Sequence, residues 1–405
     1  MLRKTVIVTS IVVLCACAGC QTHAQNKKAA QQRWQKASSQ IKLALAQQQY
    51  DNGKYEEAEQ NIRECIQADP EMPQAHLVLG KVLLAKGRSG KAVEELTVAA
   101  ELDQKLHEAW YWLGVAAQES RDIERAYSCY NEAMRLAPVN VDYILAVAET
   151  CTAQKRYDEA TLLLEEKIKL MPRQVSLKVA AADVMCRAER YDEAIELYRR
   201  AMLLADEDAE ITEALGYCYM FAGRWEQAAQ IFSGLAKRTD AESPAAGDEK
   251  VIAAREQRRK LYLQTAGMCS MQSGRYDQAV ECYTKLMVDD RDDARFWVKT
   301  GNAALGAGLT QRSLMCGKKA HTLRPGYVDA IALIGSSQYA EGDYEAAAEA
   351  FRKITKDKKN TAFAWWMLAR CYERLGQTEH ADAAYKKARE IDPDSKLGRL
   401  LAKER

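Results

Sequence analysis

The sequence predicts an all-α chain built as a solenoid, in which helical hairpins stack and no single central core forms. Three observations carry this. An alanine ladder, Ala58, Ala92, Ala126, Ala160, Ala194 and Ala228, steps by 34 residues, and a second run, Ala279, Ser313, Ala347 and Ala381, keeps the same step. Ahead of several rungs a small residue follows a leucine, as in Leu79 with Gly80, Leu113 with Gly114 and Leu215 with Gly216. Pro70, Pro138, Pro172, Pro325 and Pro393 fall at the repeat ends, where proline closes one helix and redirects the chain. A fixed period of this length marks units that cannot bury their own apolar faces and so cover one another.

The first residues read as an export segment. Arg3 and Lys4 precede an uncharged run from Thr5 to Gly19, shorter than the roughly 20 residues a helix needs to cross a bilayer. Leu14, Cys15, Ala16 and Cys17 resemble the lipobox of bacterial lipoproteins, and Cys17, Ala18, Gly19 and Cys20 form a second, poorer version. That resemblance implies a lipid on the cysteine after the cut, Cys17 or Cys20. An uncleaved signal anchor is the alternative, and it too places the remaining chain on the translocated side. Either way the expected location is the extracytoplasmic side of the cell envelope, periplasmic in a cell with an outer membrane.

Residues 21–38 are rich in Gln, Ala and Lys and read as a tether after a signal peptide at 1–20. The formal charge of the whole chain is +1, and without Arg3 and Lys4 it becomes about −1, with 56 basic against 57 acidic residues. Neither value favours nucleic acid as a partner.

Six repeats follow over 39–242. In the first, Gly53 suits the left-handed residue that ends a helix, and Glu56 and Glu57 sit where the next helix dipole favours acids. The third, His107 to Pro138, is the clearest: Trp110, Leu113, Gly114, Ala126, Tyr130 and Pro138. Gly114 and Ala126 are small where two antiparallel helices cross, while Trp110, Leu113 and Tyr130 are large where a neighbouring unit must be covered. The fourth and fifth repeats lack this Trp and Gly, with Ala148 and Ala182 in the glycine's place.

From Ala228 to Ala279 the step is 51, one repeat plus 17 residues. Asp240, Ser243, Pro244, Gly247 and Asp248 read as a loop. The stretch after them, with Arg255, Arg258 and Arg259, reads as a charged helix lengthening the first helix of repeat seven, so 243–259 form an insertion. Repeats seven to ten occupy 260–395, and 396–405, with Leu397, Leu400 and Leu401 beside Arg399 and Lys403, read as a capping helix.

The third repeat and its copies resemble the tetratricopeptide repeat (TPR), and the chain resembles a bacterial TPR lipoprotein. The resemblance implies an α-solenoid of about ten helix-turn-helix units forming a right-handed superhelix. It also implies a protein or peptide partner on the inner surface lined by the first helices, at places two, five, nine, twelve and thirteen of each unit. Here those places hold Tyr111, Tyr217, Met220, Phe221, Met268, Met271, Tyr339 and Trp366. Such side chains combine contact area with adaptability. The clamp that grips chaperone tails is not implied, because Asn302 holds the ninth place of its unit while Val298 holds the fifth.

No catalytic constellation is expected. Outside the export segment nine cysteines, from Cys65 to Cys371, occupy helix positions beside packing residues and lack zinc-like spacing. They read as small buried hydrophobes rather than disulfides. The histidines show no metal spacing, and there is no phosphate loop or nucleophile elbow. The expectation is a non-enzymatic scaffold without cofactor or metal, lipid-anchored at a bacterial envelope membrane and serving envelope assembly or secretion. The alternative is a regulatory subunit of a separate envelope synthase or polymer exporter.

Overall fold

Every rung of the alanine ladder is buried: the nine alanines are at most 3% exposed, and Ser313 is at 0%. The computed structural model describes residues 27–391, apart from 29, 32, 33, 35, 207, 242–248 and 357–360. Within them every regular element is a helix. The signal peptide with Cys17 and Cys20, the capping helix at 396–405 and the loop around Pro244 and Gly247 lie outside the described residues.

The helices come in sequential pairs, a first and a second helix for each repeat. Repeat one pairs α1, over residues 36–51, with α2 (Tyr55–Ala68). Repeats two to five pair α3 (Pro73–Ala85) with α4 (Ser89–Leu102), α5 (His107–Glu119) with α6 (Ile123–Leu136), α7 (Val141–Ala153) with α8 (Tyr157–Leu170), and α9 (Val175–Arg187) with α10 (Tyr191–Met202). Repeats six to eight pair α11 (Ala209–Phe221) with α12 (Trp225–Ala241), α13 (Glu249–Gln272) with α14 (Tyr276–Asp289), and α15 (Ala294–Gly306) with α16 (Thr310–Leu323). The last two pair α17 (Val328–Glu341) with α18 (Tyr344–Thr355), and α19 (Ala362–Arg374) with α20 (Thr378–Ile391). At 24 residues, α13 runs unbroken from the charged stretch into the first helix of repeat seven.

Two compact units divide the chain, 1–188 and 189–405. In the first, consecutive helices from α2 to α9 pack on one another, and Ile62, Leu79, Leu83 and Leu96 are buried in a core flanked by Trp110 and Trp112. In the second, the same neighbour-on-neighbour packing runs from α10 to α20. Near its end Phe351, Ile354, Met367 and Leu368 are buried, with Trp365 and Trp366 against them.

The conserved spacing of the hairpins has a steric cause that differs from the expected close backbone crossing. A Cβ built on Gly114 would lie 2.6 Å from two ring atoms of Tyr130, and one on Gly267 would lie 2.7 Å from Tyr283. The glycine of the first helix therefore makes room for the large side chain of the second, four residues after the ladder alanine. Repeat eight reverses the arrangement. There Gly317 stands where the large side chain would be, and Leu333 of the next repeat approaches Gly301 instead. Its ladder rung is a serine because Ser313 Oγ shares a hydrogen bond of 2.7 Å with Ser337 Oγ, which also donates to Leu333 O. A buried hydroxyl needs such a partner.

The turn between the two helices of each unit is equally periodic. Its left-handed residue is glycine in seven repeats, Gly53, Gly87, Gly223, Gly274, Gly308, Gly342 and Gly376, while Arg121, Lys155 and Glu189 take it in repeats three to five with φ of 63°, 60° and 60°. Left-handed backbone costs an L-residue with a Cβ about 1 kcal/mol or more, so three units hold this turn against local preference.

Charged groups tie neighbouring helices in the first unit. His76 of α3 is 7% exposed. Its Nδ1 lies 2.7 Å from Glu95 Oε2 of α4 and its Nε2 lies 3.0 Å from Pro70 O. The bond to Glu95 raises its pKa above the ordinary 6.5, against the opposing effect of burial. Lys86 donates to Glu59 at 2.7 Å. That bond, with Arg63, pulls the Glu59 carboxyl down to about 2.

The nine cysteines are free thiols. Eight are buried and Cys186 is half-buried. Burial pushes the Cys269 thiol up to about 11 and Cys371 up to about 12, the behaviour of packing groups rather than nucleophiles. Among the described residues no helix is long and apolar enough to cross a membrane.

Candidate functional site

Two adjoining cavities along the inner places of repeats three to five make up a trough. Asn140 starts α7 by accepting hydrogen bonds from the backbone N–H of Asp142 and Tyr143 at 3.0 and 3.4 Å, which fixes Asp142 in the first helical turn. A cavity of about 580 Å³ lies between α5 and α7, lined by Tyr111, Val115, Gln118, Asp142, Leu145 and Glu149 among others. A second of about 330 Å³ lies between α7 and α9, with Thr152, Asp183 and Arg187 in its wall. Leu145 and Glu149 line both, so the two cavities adjoin along α7.

The floor of the first cavity is aromatic. Tyr111 stacks on Tyr143 with centroids 4.9 Å apart and planes at 28°, and lies 5.6 Å from the Tyr130 ring. Tyr130 donates its hydroxyl hydrogen to Gln118 Oε1 at 2.9 Å, and the Tyr143 hydroxyl is hydrogen-bonded to His107 Nδ1 at 2.8 Å. Tyr130 and Tyr143 are buried, whereas Tyr111 is half-buried with its edge in the trough. Burial pushes all three phenols up. For Tyr111 the carboxylates of Asp142 and Glu149 add to it, and for Tyr143, held up at about 12, Glu108 and Asp142 do so. These tyrosines remain neutral hydroxyl groups in a negative surrounding.

The other seven residues read as contacts fall into two groups. Near the junction of repeats six and seven, Phe221 and Met268 are 68% and 41% exposed, while Tyr217, Met220 and Met271 are half-buried. Tyr217 spends its ring on Phe232 of α12, 5.0 Å away and nearly perpendicular. Phe221 stacks at 6.5 Å on Tyr191, not on another candidate. The adjoining first helices are linked by Tyr262 of α13, which donates to Glu213 Oε2 of α11 at 2.7 Å.

Tyr339 and Trp366 are brought together by a residue the sequence reading passed over. The Arg370 guanidinium lies 5.7 Å from the Tyr339 ring and 5.4 Å from Trp366, a stabilising cation over two aromatic faces. Asp142, Glu149 and Asp183 were passed over as well, because aromatic and methionine side chains, and the Lys and Asn of the clamp, were what was sought at the inner places. The signal lay in the register itself, since Glu149 and Asp183 hold the ninth place of consecutive repeats.

A further cavity of about 650 Å³ is lined by residues of α13, α14 and α16 and by Leu309 ahead of α16. Arg312 donates to Thr284 Oγ1 at 2.8 Å across it, and Arg259 pairs with Asp289 in its wall. The first bond joins repeats seven and eight, and the second ties the two helices of repeat seven. Among the described residues no group of three or more His, Cys, Asp or Glu is placed to hold a metal ion.

The tetratricopeptide repeat family matches residues 43–107, 107–138 and 186–247, and the middle TPR-like domain of cilia and flagella-associated protein 70 matches 262–391. The chain is a TPR protein, and TPR units in general bind protein or peptide partners. It is similar to protein bimA of Emericella nidulans, 26% identical over 111 residues, which are 27% of this chain and 14% of that protein. It is also similar to the N-terminal acetyltransferase A complex subunit-like protein C418.02 of Schizosaccharomyces pombe, 25% identical over 92 residues, which are 23% of this chain and 13% of that one. The chain thus spans about one seventh of the length of these curated relatives. Among solved structures, that of Pseudomonas aeruginosa pilF is 20% identical, covers 51% of this chain and 95% of its own, and gives a TM-score of 0.42.

Proposed function

We propose that this protein is a non-catalytic scaffold that holds a segment of another protein in the trough between α5, α7 and α9. The observation that carries this reading is the pair of adjoining cavities along the inner places of three repeats, with Tyr111 in the lining of the first and Leu145 in the lining of both. A groove of this form suits an extended or helical segment better than a compact small molecule. A lipid on Cys17 or Cys20 fixes the scaffold to the extracytoplasmic side of a bacterial envelope membrane, in the service of envelope assembly or secretion. Arg3 and Lys4 ahead of the uncharged run, and the two cysteines closing it, support the anchor.

The test is affinity capture from detergent-solubilised membranes with the full chain and with Leu145→Arg. The wild type is expected to retain a defined partner that the variant loses at unchanged helicity, and equal retention by both would remove the trough from the account. Labelled palmitate is expected to enter the chain and to be lost when Cys17 and Cys20 are both replaced by Ala. Undiminished label in that double variant would refute the anchor.

A further inference from the structure

The lining of the trough is predominantly acidic. Asp142 and Glu149 stand seven residues apart on α7, two helical turns and hence one face. Glu119 lines the same cavity from the end of α5, and Asp183 carries the row onto α9 one repeat beyond Glu149. Against these four carboxylates the two cavities have one basic lining residue, Arg187, at the far side of the second. The chain as a whole has a net charge of +1, so the acidity is local to this face.

Carboxylates converging on a cleft with apolar walls focus their field there and raise the local concentration of cations. The same walls suit the hydrocarbon stems of long basic side chains, which lie along apolar surface with the charge held outward. Val115, Leu145 and Ala148 supply that surface. Burial is the main reason the phenols of Tyr111 and Tyr143 are raised, and Asp142 adds to it at both. An acidic segment would meet repulsion at Asp142 and Glu149.

We infer that the trough selects a lysine- or arginine-rich segment of its partner, with the cations set against Asp142 and Glu149 and the small residues between them against Leu145. This inference rests on the trough being the partner site. Fluorescence anisotropy with the full chain tests it, using labelled oligopeptides of alternating lysine and alanine, serine and alanine, or glutamate and alanine. The lysine peptide is expected to bind about tenfold more tightly than the serine peptide, with affinity falling as salt is added. Asp142→Asn with Glu149→Gln should abolish that preference, while the same change of charge on α8, Asp158→Asn with Glu165→Gln, should leave it. Equal binding of the lysine and serine peptides, both lost in Leu145→Arg, would overturn the charge selection and keep the trough as the site. Failure of all three peptides to bind would overturn both.

Discussion

Replacing Gly114 by Ala puts one carbon where the Tyr130 ring now lies, 2.6 Å away. Tyr130 has little freedom to yield, being 3% exposed and tied through its hydroxyl to Gln118. The expected cost is that of overpacking, about 2 kcal/mol. That cost is the opening of a hairpin already closed on glycine. Tyr130→Leu alone removes buried ring area and a hydrogen bond, and should also cost about 2 kcal/mol. The double variant reproduces the pairing of repeat four, Ala148 with Leu164. It should therefore be less unstable than the sum of the singles by about 1 kcal/mol. Urea denaturation of the four proteins, followed by far-ultraviolet circular dichroism, measures this coupling. A cost below about 0.5 kcal/mol for Gly114→Ala, or strict additivity, would refute the steric account of the glycine.

Lys155→Gly relieves a left-handed turn, a gain of about 1 kcal/mol partly offset by the greater freedom of unfolded glycine. A net stabilisation of about 0.5 kcal/mol is expected in the same denaturation assay, and a loss would contradict the turn argument. The raised pKa of His76 means that its contribution to stability is complete below the unfolded value of 6.5 and fades as pH climbs through the higher folded value. Calorimetric melting should show a decline over that range that flattens in Glu95→Gln; an unchanged slope would show that Glu95 is not its source. Buried thiols such as Cys269 and Cys371 should react with a thiol reagent only once the chain unfolds, and fast reaction of the native protein would contradict their packing role.

Much of this fold was legible because helix packing writes its period into small residues. All ten ladder rungs are buried as the spacing required, since any larger side chain at such a place would push neighbouring helices apart. The turns were only partly legible. Glycine announces a left-handed residue, as at Gly53, but Arg121, Lys155 and Glu189 adopt the same conformation, and nothing in an arginine or lysine says so. The serine in the ladder looked like a simple substitution. Its reason, Ser337 opposite, lies 24 residues away and appears only once two repeats are packed together.

The candidate site was read by half. The inner places were located through the family pattern, and Tyr111 does line a trough there. Tyr217, by contrast, stands at an inner place yet lays its ring against Phe232, because a half-buried aromatic side chain on a first helix can serve its own hairpin as readily as a ligand. The acids were missed for a physical reason. Isolated carboxylates on exposed helices usually mark nothing but solvation, and it takes packing to show that Asp142, Glu149 and Asp183 edge one cavity system.

The trough as the working surface is tested most directly by photo-crosslinking in intact cells. A benzoylphenylalanine at position 145 should join the chain to a defined partner, whereas one at the exposed Ser128 position on α6 should not. Adducts from position 128 as strong as those from 145, or none from 145, would contradict it.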